Sequence, residues 1–153
     1  MPTDHRIPFG LRAAYLAMHR QTDGCLAKRG ATADQFVLLG LLAERDGITQ
    51  QELVRRASSD PNTVRAMLVL LEKRGLVERN GHPTDRRARS VALTRRGRQT
   101  YRKLLAETES LRERLYAAFR PEEEAQFVEF LARISDACAA AGEQALKKKG
   151  QKR

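Results

Sequence analysis

Apolar residues recur at spacings of three and four along most of the chain, the periodicity of amphipathic helices. Two short segments, 76–79 and 89–93, instead alternate as strands do, and the turn-rich segment 80–84 joins them. Ile48 could add a minimal third strand. The periodic segments predict six helices, over about 8–29, 32–43, 49–57, 61–73, 94–119 and 121–145. The pattern predicts a mainly α protein with a small β-ribbon.

Local signals place the starts of four of these helices. Thr32-Ala-Asp-Gln35 and Thr49-Gln-Gln-Glu52 have the spacing of capping boxes and should open the second and third helices. The segment Ser58–Asp60 offers an N-cap before Pro61, which suits a first helical position, and Pro121 should open the sixth helix. The second helix is apolar nearly all round, so we expect it to be buried.

The net charge of the chain indicates which class of binding partner to expect. The 153 residues carry a net charge of +10, and a basic excess of this size favours nucleic acid or an anionic membrane surface. Five of the positive charges lie in the tail, 147–153, and the rest of the chain still carries +5. The chain has no apolar run near the ~20 residues of a membrane span, and its polar start lacks the apolar core of a signal peptide. We therefore expect a cytoplasmic protein with no membrane partner.

Arginine is concentrated on the predicted ribbon and the residues after it. Between Arg79 and Arg98 there are seven arginines and a single acidic residue, Asp85. So many guanidinium groups on one hairpin would repel one another unless a polyanion were the partner. This density of arginine indicates a polyanionic partner.

Two short capped helices followed by a ribbon predict a winged helix-turn-helix, here embedded in a helical dimerisation domain. The start of the fourth helix presents small and polar residues that could read base edges in the major groove, and its dipole also favours a phosphate. Wing arginines are long enough to enter the minor groove, and those opening the fifth helix suit phosphate contacts. The predicted DNA-binding residues are Asn62, Thr63, Arg65 and Ala66 on the helix, Arg86, Arg87 and Arg89 on the wing, and Arg95 and Arg96 for phosphates.

The chain resembles the MarR (multiple antibiotic resistance regulator) family of transcription factors. The resemblance rests on the order of the elements, on the wing signature Asp85-x-Arg87 … Val91-x-Leu93-Thr94 and on the run Leu71-Glu-Lys-Arg-Gly-Leu-Val77, and it covers about 8–145. It implies that Arg87 enters the minor groove and that Asp85 orients the wing through a salt bridge. It also implies dimerisation through the first, fifth and sixth helices, and release from DNA by small phenolic or lipophilic molecules.

The resemblance suggests a division of the chain into four parts. Residues 1–30 would contribute the first helix of the dimerisation region, 31–98 the DNA-binding domain, 99–146 the remaining dimerisation helices and 147–153 a basic tail. The most favoured function is a homodimeric repressor that binds a pseudo-palindromic operator and is released by a small organic effector. The alternatives are an architectural protein that coats DNA without an effector and a regulator that senses redox state through cysteine.

Candidate effector and redox residues lie mainly on the first helix. Tyr15, Met18 and His19 could line an effector cavity, although core packing is the simpler interpretation of Tyr15 and Met18. Cys25 and Cys138 fall on apolar stripes and are expected to be small core residues at a helix interface.

Catalytic and metal-binding signatures are absent from the sequence. The three histidines are scattered without ligand spacing, so no metal is expected. The chain has no phosphate-cradling glycine loop, no His-Glu-x-x-His and no Gly-x-Ser-x-Gly. We expect no enzymatic activity and no cofactor.

Overall fold

The computed structural model describes residues 4–81 and 89–150 and has the predicted architecture, mainly α-helical with a small antiparallel sheet. The helices are α1 (Arg6–Leu26, followed by a 3-10 turn at Ala27–Arg29), α2 (Ala33–Glu44), α3 (Gln50–Arg56), α4 (Pro61–Lys73), α5 (Arg95–Glu107), α6 (Glu109–Ala117) and α7 (Pro121–Gly150). The strands are β1 (Ile48–Thr49), β2 (Val77–Gly81) and β3 (Arg89–Leu93). The predicted winged helix-turn-helix order is thus present.

The single helix predicted over 94–119 is wrong, because the chain breaks between α5 and α6 at Thr108. The Thr108 backbone N–H is shared between the carbonyl oxygens of Leu104 and Leu105, at 3.2 and 3.3 Å. The Thr108 hydroxyl also donates to the Leu105 carbonyl oxygen at 3.0 Å. A threonine side chain that bonds nearby backbone competes with the helical ladder, and this residue is buried, which fixes the break.

One of the two predicted capping boxes is complete. The Thr32 hydroxyl accepts from the Gln35 N–H at 3.2 Å, and the Gln35 amide oxygen accepts in return from the Thr32 N–H at 3.3 Å. Thr49 accepts from the Glu52 N–H at 3.1 Å, but the Glu52 carboxylate bonds the Arg55 guanidinium instead of returning to the cap. The second box is therefore only half formed, because an arginine one turn away competes for the carboxylate.

The sheet has the order β1-β3-β2, with both pairs antiparallel. Ile48 lies opposite Val91, and Val77 lies opposite Leu93, and all four side chains are buried. The suggestion that Ile48 is a minimal strand residue is confirmed. The ribbon therefore buries one face on the helices through its alternate residues.

One core joins helices α1 to α5 to this sheet. The predicted stripe of α4, formed by Val64, Leu68 and Leu71, is buried as expected. Val37 is an exception to the expected burial of α2, since 47% of its surface is exposed. The other large hydrophobic side chains that are fully buried among the described residues are Leu26, Leu38, Leu39, Leu42, Leu53, Val91 and Leu104. Both α1 and α5 thus supply residues to the core of the DNA-binding elements.

The chain forms two compact units, residues 1–111 and 112–153. In the first unit, Glu107 at the end of α5 bonds Lys28 and Arg29 beside the end of α1. In the second unit, α7 leaves large apolar side chains exposed, including Phe127, Phe130 and Leu131. Within the described residues, no helix has the length and apolar character needed to cross a bilayer.

Candidate nucleic-acid interface

The start of α4 is fixed by Asp60. One carboxylate oxygen of Asp60 accepts from the Thr63 backbone N–H at 2.9 Å, and the other accepts from the Thr63 hydroxyl at 2.5 Å. The hydroxyl bond and then the backbone bond from Thr63 lower the pKa of Asp60 below its usual value. Pro61 occupies the first helical position without losing a bonded N–H. This cap holds the first turn in one orientation.

The four residues predicted to read bases lie together on the exposed side of this helix. Asn62, Thr63, Arg65 and Ala66 are all exposed, whereas Val64 between them points into the core. The first turn of α4 is therefore accessible to a groove of DNA. Base contact by these residues remains a prediction.

The cap at Asp60 disfavours the phosphate that the sequence suggested for this helix terminus. The Asp60 carboxylate already takes the N–H of Thr63 and places a negative charge at the positive end of the helix dipole. A phosphate approaching this end would meet an anion of the protein. Arginines elsewhere are therefore the better candidates for phosphate contacts.

A groove of about 560 Å³ lies between α3, α4 and the ribbon. It brings together Arg65 from α4 and Arg89 from β3, two residues that the sequence analysis assigned to separate elements. The lining residues are Thr49, Gln50, Gln51, Val54, Pro61, Arg65, Arg79 and Arg89. Sequence reasoning missed the two glutamines and Arg79; the polar first turn of α3 was the available signal.

Arg79 has a structural role in this groove. Its Nε and Nη2 both bond one carboxylate oxygen of Glu72, at 2.9 and 2.6 Å, and its side chain is only 16% exposed. This pair joins β2 to α4 and so fixes the ribbon relative to the helix. Among residues 4–81 and 89–150, neither Arg65 nor Arg89 has an ion pair with a carboxylate. These two arginines therefore carry the positive charge of the groove.

Three residues assigned to the wing from the sequence, Asp85, Arg86 and Arg87, lie outside the described residues, so their roles remain predictions. Arg89 begins β3 opposite Gly81 and is exposed, which places the base of the wing beside the groove.

Arginines at the start of α5 differ in their surroundings. Arg95 and Arg96 are exposed in the first turn, while Arg98 is bonded to Asp46. The Thr94 hydroxyl accepts from the Gly97 N–H at 2.9 Å and donates to the Gly75 carbonyl oxygen at 2.6 Å. Arg95 and Arg96 are thus held on a capped helix end with their charges available to phosphates.

Polar contacts connect three residues along α1. The Tyr15 hydroxyl lies 3.4 Å from His19 Nδ1, and His19 Nε2 lies 3.4 Å from Asp23 Oδ2. Asp23 Oδ1 in turn accepts from the Ala33 backbone N–H at 2.7 Å. Tyr15 and Met18 are 53% and 41% exposed, so the core-packing interpretation of these two residues is wrong for the single chain.

Neither cysteine lies in the core of the single chain. Cys25 is half-buried and Cys138 is exposed on α7. The expectation of a small core residue would hold for Cys138 only with a partner covering α7. No group of three or more metal-ligating side chains is assembled anywhere in the part of the chain that the structure describes.

The fold, with the exposed first turn of α4 beside the ribbon, defines a winged helix-turn-helix protein. Residues 31–88 match the sequence model of the MarR family. The transcriptional regulator HosA of Escherichia coli O111:H- is 30% identical over 106 residues, which span 69% of this chain and 78% of HosA. The chain therefore belongs to the MarR family.

Solved structures share this fold over most of the chain. The transcriptional repressor CouR bound to a 23-mer DNA duplex is 29% identical, with a TM-score of 0.75, and the match covers 84% of this chain and 91% of CouR. NadR in complex with 4-hydroxyphenylacetate is 27% identical, with a TM-score of 0.77 and coverage of 88% of this chain and 97% of NadR. One of these relatives was solved with DNA and the other with a small aromatic acid.

Proposed function

We propose that this regulator is a homodimeric repressor that acts in the cytoplasm, binds a pseudo-palindromic operator and is released by a small organic effector. The observation that carries the proposal is the capped start of α4, which exposes Asn62, Thr63, Arg65 and Ala66 beside an arginine-lined groove. Small polar residues and an arginine at a helix start suit the hydrogen-bonding groups of the major groove.

Two further sets of residues, on the wing and at the start of α5, complete the proposed DNA contact. Arg87 would enter the minor groove from the wing, with Arg86 and Arg89 beside it and Asp85 orienting the tip. Arg95 and Arg96 would bind phosphates, in keeping with their exposure at the start of α5. The DNA-bound relative CouR supports a DNA partner for the protein.

The exposed apolar side chains of α7 and of α1 support the proposed dimer. Phe127, Phe130 and Leu131 are exposed on α7, and Ile7 and Phe9 are exposed on α1. Such surface is uncommon on a soluble monomer and would be covered by a two-fold partner. A dimer would also present two α4 helices to two half-sites about one DNA turn apart, roughly 34 Å.

The effector proposal rests on α1. Tyr15, Met18 and His19 lie on one face, and Tyr15 and His19 supply polar groups that a small phenol or aromatic acid can bond. NadR was solved with 4-hydroxyphenylacetate, which supports a ligand of this class. We propose no metal and no cofactor. HosA is a transcriptional regulator and CouR is a transcriptional repressor, which supports a role without catalysis.

Recovery of bound fragments from the native genome tests this function. The full-length protein should enrich a small set of fragments that share a two-fold symmetric sequence, and Arg87→Ala should bind them more weakly by roughly 1–3 kcal/mol. Enrichment of fragments without a shared sequence would support the alternative, an architectural protein that coats DNA. The positive charge of 147–153 favours that alternative, since it gives affinity without sequence preference.

Cysteine-based redox sensing is a second alternative, favoured by the exposure of Cys138. The variant with both Cys25→Ser and Cys138→Ser separates it from effector release. Under the proposed function this variant binds and leaves DNA as the native protein does. Loss of DNA binding in peroxide by the native protein, but not by the double variant, would favour redox sensing.

A further inference from the structure

Thr63 differs from an ordinary exposed threonine in the direction of its hydroxyl proton. A hydroxyl group has one proton to donate and two lone pairs that accept. The Thr63 hydroxyl donates its one hydrogen bond to Asp60 Oδ2 at 2.5 Å, and the Thr63 backbone N–H donates to Asp60 Oδ1 at 2.9 Å. Because both donors of Thr63 are used inside the protein, its exposed oxygen presents lone pairs alone.

Asp60 adds to this polarity. Its carboxylate is exposed, and the bonds from Thr63 hold its pKa below the usual value, so it is charged at neutral pH. An ionised carboxylate only accepts hydrogen bonds. The exposed polar atoms of these two side chains at the start of α4 are therefore all acceptors.

An acceptor-only surface distinguishes among the bases in the major groove. Guanine presents O6 and N7 there and thymine presents O4; all three are acceptors and would face the oxygens of Thr63 and Asp60. Cytosine presents its N4 amino group with no acceptor on its own edge. Adenine also presents an amino group, but its N7 acceptor lies beside it. Cytosine is thus the base whose edge fits this pair without an opposed acceptor.

We infer that Thr63, with its hydroxyl proton held by Asp60, is a specificity-determining residue that selects a cytosine amino group in each half of the operator. The inference rests on the proposed function, since it assumes that the first turn of α4 enters the major groove. Arg65 has the opposite polarity, because a guanidinium only donates, and it would favour guanine at a different position.

Two variants change this polarity in different ways. Thr63→Val keeps the branched shape and removes the hydroxyl. Asp60→Asn keeps a good N-cap residue but replaces one acceptor oxygen with an NH₂ group, so the Thr63 hydroxyl is released and can donate. Thr63→Ser is the matched control, since serine keeps a hydroxyl that can bond Asp60 in the same way.

Selection from a randomised duplex library, with full-length protein, measures the preference at every base position. For the native protein and Thr63→Ser we expect one cytosine per half-site to be preferred about ten-fold over guanine or thymine. In Thr63→Val that preference should disappear while the other positions persist. In Asp60→Asn the same position should also accept guanine and thymine. Circular dichroism spectra check that each variant is folded.

The outcomes separate failure of this inference from failure of the proposed function. A native protein that enriches no shared sequence would overturn both. A symmetric native motif whose cytosine preferences are unchanged in both Thr63→Val and Asp60→Asn would overturn the role of Thr63 and leave the operator function standing. Loss of preference at several positions in Thr63→Val would also overturn it, because it would show a general effect on the helix.

Discussion

Gly97 packs directly against the backbone of Leu76, so closely that a Cβ at Gly97 would lie 1.9 Å from the Leu76 carbonyl oxygen. The same carbonyl accepts from the Thr94 N–H at 3.1 Å, and the Thr94 hydroxyl bonds the neighbouring Gly75 carbonyl. The start of α5 is therefore fixed to the junction between α4 and β2. The contact links the arginines of α5 to the end of α4.

Gly97→Ala should destabilise the protein by roughly 1–3 kcal/mol, because the added carbon forces the backbone apart in a packed region. Gly142→Ala in α7 is the matched control, since no atom lies within 4 Å of the position of its Cβ. Alanine has the higher helix propensity, so the control should be neutral or more stable by about 0.5–1 kcal/mol. Urea unfolding of both variants measures the difference; equal stability would show that the Gly97 contact is not tight.

Sequence patterns predicted much of this fold because its signals are local. The cap at Thr32, the proline at Pro61 and the apolar stripe of α4 each depend on residues within one or two turns, and all three are confirmed. The break at Thr108 was missed, because a threonine at a periodic position is compatible with a continuous helix. The sequence does not show that this threonine is buried and that its hydroxyl bonds the Leu105 carbonyl oxygen.

The site was harder to predict, because an arginine is available to DNA only if no carboxylate of the protein pairs with it. Arg79 and Arg65 look alike in the sequence, yet Arg79 is neutralised by Glu72 seven residues earlier, while Arg65 faces the groove. Arg98 likewise bonds Asp46, which is 52 residues away in the chain. Such distant pairings carry no periodic signal, so the sequence cannot separate structural arginines from exposed ones.

Arg95→Ala should weaken binding to all DNA sequences alike and reduce the slope of log K against log salt by about one unit. The reason is its exposure at the start of α5, where a phosphate is the expected partner. Arg55→Ala is the matched control, because Arg55 is already paired with Glu52. Titrations at several salt concentrations decide the point, and an unchanged slope for Arg95→Ala would argue against phosphate contact.

Glu107 should make stability depend on pH. Hydrogen bonds from Lys28 and then Arg29 hold the pKa of Glu107 below its ordinary value of 4.5. A carboxyl whose pKa is lower in the folded state stabilises that state above pH 4.5, and this contribution is lost as the pH falls through the lowered value.

The Glu107→Gln variant should therefore have a lower melting temperature than the native protein at pH 7, and the difference should shrink under acid conditions. Glu109→Gln is the control, since Glu109 has no ion pair within 4–81 and 89–150. Melting curves between pH 3 and pH 7 (roughly the range over which carboxyl groups titrate) test this. A constant difference across the range would contradict the role of Glu107.

Leu131→Glu should convert the proposed dimer to a monomer, because it places a charge on the exposed apolar face of α7. Leu131 is a better choice than Phe127, because Phe127 stacks on Phe119 within the same unit. Replacing Phe127 would therefore also disturb the protomer. Glu129→Lys, two residues away on the same helix, is the matched control. Light scattering at micromolar concentration measures the mass; a native protein that is already monomeric would remove the basis for this prediction.

The central claim is that the start of α4 recognises the base sequence of DNA. Competition between the recovered operator and bulk DNA tests this claim most directly. The native protein should prefer its operator by about 10³-fold or more at physiological salt. Arg65→Ala should lose much of that ratio while keeping its salt-dependent affinity for bulk DNA, and Arg55→Ala should keep both. Equal affinity of the native protein for operator and bulk DNA would contradict the account and identify a protein that coats DNA.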